Sequence, residues 1–219
     1  MKFSTIIFDM DGVVVDTEPI WKKATMKFLQ RRGITQDIDK DKHKWISKSP
    51  VEIMEIMKDL YEFEGDPMEL HDERNAIVDE IYQDELQYIK GFEPFIKKVK
   101  DSNLKTCIAT SSFKKHIDLI DEKLNITAKF GQHIYSIADV GNIGKPNPDL
   151  FLFAAEKLNS SPSDCIVIED SPNGVQAAKN AEMFCIALSQ QDTEEHKRRL
   201  LNADIIVESF EDIDLKELI

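Results

Sequence analysis

A chain of 219 residues can bury a real core and suits one catalytic domain, or one domain with a modest insertion. Its 41 acidic residues against 28 basic ones give a formal charge of −13, which argues against a nucleic-acid partner, because neutralising a phosphate backbone takes a surplus of Lys and Arg. No stretch approaches membrane-span length, and the N-terminal apolar run, broken at Asp9, is too short for a signal peptide. Cys107, Cys165 and Cys185 each lie inside an apolar run and show no CxxC or Cys/His ligand spacing, so they are expected as reduced core residues of a cytoplasmic protein.

The first predicted strand is the β-branched and aromatic run Thr5–Phe8, followed at once by Asp9-Met10-Asp11-Gly12-Val13. In an extended segment residues i and i+2 point the same way, so Asp9 and Asp11 can face one spot while Met10 packs behind. Asp-Gly is also common turn chemistry, and taken alone the pair reads equally well as an acidic surface turn. From Glu18 to Tyr88 no strand is legible. Helical patterns run over Ile20–Gln30, Val51–Leu60 and Met68–Ile89, punctuated by Gly33, Pro50 and Gly65-Asp66-Pro67.

Strands and helices then alternate. Runs at Lys105–Ala109, His133–Ser136, Cys165–Ile168, Phe184–Ala187 and Ile205–Val207 read as strands, with helical spacing over Pro94–Val99, Lys114–Leu124, Asp149–Leu158 and Gly174–Ala181. That rhythm predicts an α/β fold: a doubly wound, Rossmann-like parallel sheet formed by residues 1–15 and 92–219, with an all-helical domain, residues 16–91, inserted after the first strand.

Ligands of an open α/β sheet bind outside the carboxyl ends of its strands, which makes the residues just after each run the ones to inspect. Asp9 and Asp11 follow the first run, the hydroxyls of Thr110-Ser111-Ser112 the second, and Glu169-Asp170-Ser171 the fourth; Lys145 lies in Gly144-Lys145-Pro146-Asn147-Pro148-Asp149. Two acid pairs, a hydroxyl cluster and one lysine fit a phosphomonoester held by Mg²⁺, whose hard coordination sphere takes a few carboxylates plus substrate oxygens and water. The cation and Lys145 would offset repulsion between a dianionic phosphate and a carboxylate nucleophile. Asp9 would attack phosphorus, and Asp11 would protonate the leaving oxygen and then deprotonate water. Backbone N–H groups around Asp11 and Gly12, with Thr110 and Ser111, would take the phosphate oxygens.

In order and placement these four stretches resemble the haloacid dehalogenase superfamily over essentially the whole chain: Asp9-Met10-Asp11-Gly12-Val13, Thr110, Lys145 in Gly-Lys-Pro-Asn-Pro-Asp, and Glu169-Asp170-Ser171. True dehalogenases of the superfamily lack the acid at the position of Asp11, so the resemblance implies a phosphate-transferring member. It implies Asp9 as nucleophile and metal ligand, Asp11 as acid/base and ligand through its backbone carbonyl, and Asp170 as third protein ligand. Glu169 is expected behind the metal, with direct ligation left open.

The helical insertion is similar to the cap of the β-phosphoglucomutase-like subfamily, and this implies that Glu18, Trp21 and Lys48 help select the substrate. Sugar-phosphate mutases of the subfamily carry a histidine where this chain has Trp21, and the Asp16-Thr17-Glu18-Pro19 context looks more like the sugar-phosphate phosphatases. The expected function is therefore a Mg²⁺-dependent phosphatase acting on a small sugar or polyol phosphate, a small-molecule ester with no nucleic-acid or membrane partner, and a monomer by default. The alternative is a β-phosphoglucomutase interconverting glucose 1-phosphate and glucose 6-phosphate.

Overall fold

Each of the six apolar runs forms a strand in the computed structural model, which describes residues 2–36, 38–41, 44–45, 50–189 and 194–218. The strands are β1 (Thr5–Phe8), β2 (Lys105–Thr110), β3 (Ile134–Ser136), β4 (Cys165–Glu169), β5 (Phe184–Leu188) and β6 (Ile205–Val207). They pair in parallel in the order β3-β2-β1-β4-β5-β6. The order reverses at β1, flanked by β2 and β4, and such a switch point opens the crevice in which α/β sheets bind ligands. Every residue of β1 and β4 is buried, as expected of central strands covered on both faces.

The chain divides into two compact units, Met1–Asp16 with Gln87–Ile219, and Thr17–Leu86. The second unit holds α1 (Glu18–Gln30), α2 (Pro50–Tyr61) and α3 (Pro67–Glu85). The longest, α3, starts where Asp66 accepts the amides of Met68 and Glu69 at 2.9 and 3.1 Å, with Pro67 in the first turn.

Residues 87–91, assigned to the insertion from sequence, belong to the sheet unit, and α3 stops at Glu85 instead of running to Ile89. Leu86 is extended; Asp16 N–H then bonds Gln87 O at 2.9 Å, and Ile89 N–H bonds Val14 O at 3.0 Å. The apolar spacing of Leu86 and Ile89 imitates a helix, but backbone groups of Gln87 and Ile89 are used to pair with the segment that leaves β1.

The sheet unit holds α4 (Phe92–Asp101), α5 (Lys114–Leu124), α6 (Thr127–Phe130), α7 (Asp149–Lys157), α8 (Pro172–Asn180), α9 (Glu194–Arg199) and α10 (Leu215–Leu218). Alternation along β1 sends Ile7 and Phe8 to opposite faces. Ile7 joins Cys107, Val167 and Cys185 under Leu150, Phe151, Ala154 and Val175 of α7 and α8. Phe8 meets Phe92, Phe95 and Phe130 edge-on, with ring centroids 5.9, 6.2 and 5.7 Å apart. Helices thus cover both faces, and the three cysteines are buried and unbridged.

Candidate active site

The strand register sets the site. Phe8 is level with Ile108 of β2 and Ile168 of β4, so the chain delivers Asp9 and Glu169 side by side one residue later, with Asp9 N–H bonded to Ile168 O at 2.9 Å. The loop after Asp9 folds over a single carbonyl: Met10 O accepts the amides of Val14 and Val15, each at 2.9 Å. Gly12 turns there with φ +81°, and a Cβ on it would come within 2.1 Å of Asp170 Oδ2. Its amide donates to Val15 O at 2.9 Å, and the missing Cβ leaves room for Asp170.

Lys145 reaches this pair of strand ends from its loop. Its ammonium hydrogen-bonds Asp9 Oδ1, lies 2.6 Å from Glu169 Oε1 and 3.3 Å from Ala109 O, and sits over the ring of Phe151. All three charged side chains are at most 9 % exposed. Burial alone would make the ammonium easier to deprotonate, but the two carboxylates outweigh it and hold Lys145 above its ordinary range. Asp9 is pushed up to about 8, mainly by burial, with Glu169 and Asp11 adding to the rise against the pull of Lys145. Burial and the same acidic neighbours raise Asp170 as well.

Glu169 is held at both oxygens. Oε1 is taken by Lys145, while Oε2 accepts the amides of Asp170 and Ser171 and the Ser171 hydroxyl at 2.9–3.0 Å. Ser171 caps α8 by accepting Gly174 N–H at 3.0 Å, and a Cβ on Gly174 would fall 1.8 Å from the Glu169 carboxyl. Sequence inspection passed over Gly174, because what makes it necessary is a side chain five residues away folded back onto the first turn of the helix.

Asp9, Glu169 and Asp170 each offer a carboxylate oxygen, all within 4.8 Å of one another. Hard oxygen donors, two of them on acids raised by burial and by their acidic neighbours, suit a hard divalent ion. Of the three, Glu169 is the most heavily hydrogen-bonded.

The hydroxyl cluster divides. Thr110, fully buried, accepts Ser112 N–H on Oγ1 at 2.9 Å; Ser112 Oγ donates to Asp11 Oδ2 at 2.6 Å; Ser111 is exposed. In the helical unit Glu18 is exposed in the first turn of α1, and Trp21 is half-buried with the guanidinium of Arg74 5.2 Å from its ring centroid. Lys48 lies outside the described residues. Arg74 had no sequence signal: it is one of several charged residues on α3, and its 5 % exposure follows from packing alone.

A family model for haloacid dehalogenase-like hydrolases matches residues 3–182. The chain belongs to this family. As an enzyme, this haloacid dehalogenase-like hydrolase is a phosphomonoester hydrolase. It is 31% identical to a probable pseudouridine-5'-phosphatase of Drosophila melanogaster, over 95% of this chain and 94% of the relative. It is 29% identical to the β-phosphoglucomutase of Bacillus subtilis, over 97% and 92%. A crystal structure of a haloacid dehalogenase-like protein from Agrobacterium tumefaciens superposes with a TM-score of 0.84 at 26% identity, covering 96% of this chain and 95% of that one. No helix among the described residues is long and apolar enough to cross a membrane.

Proposed function

We propose that this hydrolase is a Mg²⁺-dependent phosphatase of a small sugar or polyol phosphate, working through an aspartyl-phosphate on Asp9. The observation that carries the reading is the buried Asp9, fixed by Lys145 at the switch point of the sheet and flanked by Asp11 and Asp170. Asp9 would attack phosphorus as the bond to the leaving oxygen breaks, and Asp11 would give that oxygen its proton. Asp11 would then take a proton from the water that cleaves the acyl phosphate. Lys145 holds Asp9 in place and offsets part of the charge that accumulates when a phosphate approaches a carboxylate.

Asp9 and Asp170, with the backbone carbonyl of Asp11, would hold the metal, and Glu169 would act on it only through Lys145 and the amides it fixes. A bound Mg²⁺ supplies further neutralisation of the phosphate oxygens. Thr110, whose hydroxyl already orders Ser112, and Ser111 would serve the phosphate. We assign choice of the leaving group to the helical unit, with Glu18, Trp21 and Arg74 as the described candidates. Three buried, unbridged cysteines support a cytoplasmic setting.

Purified protein with Mg²⁺ is expected to release inorganic phosphate from 4-nitrophenyl phosphate, and Asp9→Asn to abolish release. Undiminished turnover by that variant would exclude Asp9 as nucleophile. A second reading, β-phosphoglucomutase, is favoured by the likeness to the Bacillus subtilis enzyme and opposed by Trp21 in the place of the mutase histidine. Incubation with β-glucose 1-phosphate and a bisphosphate primer separates the two: net phosphate release means phosphatase, and glucose 6-phosphate without release means mutase.

A further inference from the structure

Asp11 can work as an acid only if one of its oxygens is aimed and the other is held. Its carboxylate is half-buried at the mouth of the strand ends, and Oδ2 accepts the Ser112 hydroxyl at 2.6 Å, with Thr110 Oγ1 at 3.5 Å. Ser112 is itself anchored, because its amide donates to Thr110 Oγ1 at 2.9 Å and Thr110 is the fully buried last residue of β2. A rigid path therefore runs from the end of β2 through two hydroxyls to one oxygen of Asp11. Of the grouping Thr110-Ser111-Ser112, the sequence assigns the first two to the phosphate, and the third hydroxyl is engaged by Asp11.

We propose that Ser112 is a positioning residue for Asp11, holding Oδ2 so that the transferable proton resides on Oδ1. The inference rests on the assignment of Asp11 as acid and base made above. In the first half-reaction the Oδ1–H bond breaks and the proton passes to the leaving oxygen. The phosphorus–oxygen ester bond breaks and the bond from Asp9 to phosphorus forms. Asp11 is left ionised, and the Ser112 hydrogen bond becomes charge-assisted and shorter. It is stronger after proton transfer than before, the condition for an interaction to lower a barrier instead of merely tightening a complex. In the second half-reaction the water oxygen bonds to phosphorus as the bond from phosphorus to Asp9 breaks, Asp11 recovers a proton from that water on Oδ1, and Ser112 again keeps Oδ2 out of the exchange.

A positioning role predicts dependence on the leaving group, since a good leaving group has little need of an acid. The test measures kcat and KM for the full chain with Mg²⁺ on 4-nitrophenyl, phenyl and 4-methoxyphenyl phosphate. Ser112→Ala is expected to lose about tenfold in kcat on phenyl and 4-methoxyphenyl phosphate, less than half that loss on 4-nitrophenyl phosphate, and little in KM. Ser112→Thr is expected to recover most of the loss. An equal fall on all three esters, or a rise in KM alone, would make Ser112 a phosphate ligand and overturn the proposal. Asp11→Asn is run in parallel. If it steepens the leaving-group dependence while Ser112→Ala does not, the positioning role fails and the acid assignment stands; if neither variant does, both fail.

Discussion

Two buried cations in this protein are treated in opposite ways. Lys145 in the sheet unit is surrounded by two carboxylates and a backbone carbonyl, and one of the carboxylates, Glu169, accepts three further hydrogen bonds. Arg74 in the helical unit is buried to a similar degree, yet its Nε has no hydrogen-bond partner among the described residues, and its guanidinium lies against the Trp21 ring. Burial pulls its pKa down to about 10, with no carboxylate among the described residues to raise it again. The sheet unit spends its charges on one another to keep a rigid geometry, whereas the helical unit buries a guanidinium whose Nε has no partner among the described residues. The first arrangement is what chemistry at a fixed phosphorus requires, and the second fits recognition of something the chain does not itself supply.

The contrast breaks most visibly at Lys145. Lys145→Met leaves Asp9 and Glu169 buried against each other, and removing one partner of a buried ion pair costs about 3–5 kcal/mol. Urea denaturation should register a loss of that size together with loss of phosphate release. A variant as stable as the parent would show that the carboxylates had simply taken up protons or water, and that the network is not what holds the strand ends together.

pH offers a milder test of the same balance. An acid whose folded pKa exceeds its unfolded value binds its proton more tightly when folded, so stability falls as pH climbs through the interval between the two. For Asp9 that interval runs from the ordinary 3.8 to about 8, and Asp170 acts in the same direction. The raised Lys145 does not oppose this, since the stability it contributes is fully present below the ordinary lysine value of 10.5. In EDTA the urea midpoint should therefore drop between pH 5 and pH 8, by about 1–3 kcal/mol in stability. Asp9→Asn should flatten the slope, and Mg²⁺ should stabilise more at pH 8 than at pH 5. A midpoint that rises across this range would mean that Asp9 is already ionised at pH 5.

The sheet half of this architecture was legible because its signals are local. Short β-branched runs mark strands, parallel strands place their next residues on one edge, and Asp9, Lys145 and Asp170 each stand just beyond a strand or in a loop too rich in proline for a helix. What was not legible depends on side chains that meet across sequence. The bond from Ser112 to Asp11 joins residues 101 apart. The filling of Glu169 by Lys145 crosses 24 residues, and the need for Gly174 appears only once Glu169 has turned back upon α8. Residues 87–91 misled for a different reason: their apolar spacing continues that of α3, and only the pairing with Val14 and Asp16 reveals that the helix has ended. Arg74 is the extreme case, since nothing in Glu-Arg-Asn distinguishes a buried guanidinium from a solvated one.

Arg74 is also where the comparison can be sharpened with the smallest change. A buried cation without a hydrogen-bonded counter-charge opposes folding, and an apolar side chain of similar length removes that cost while keeping most of the contact with Trp21. Against this stands the attraction between guanidinium and ring, about 2 kcal/mol when the pair is desolvated. The balance predicts that Arg74→Met gains about 1–2 kcal/mol, seen as a rise of several degrees in Tm for a chain of this size. A gain in stability accompanied by a higher KM for phosphorylated sugars would mark Arg74 as a cation retained for its ligand at the expense of the fold, the opposite of Lys145, whose loss should cost both at once. A loss of stability in Arg74→Met would instead show that the Trp21 contact outweighs desolvation, and the two units would then follow one rule.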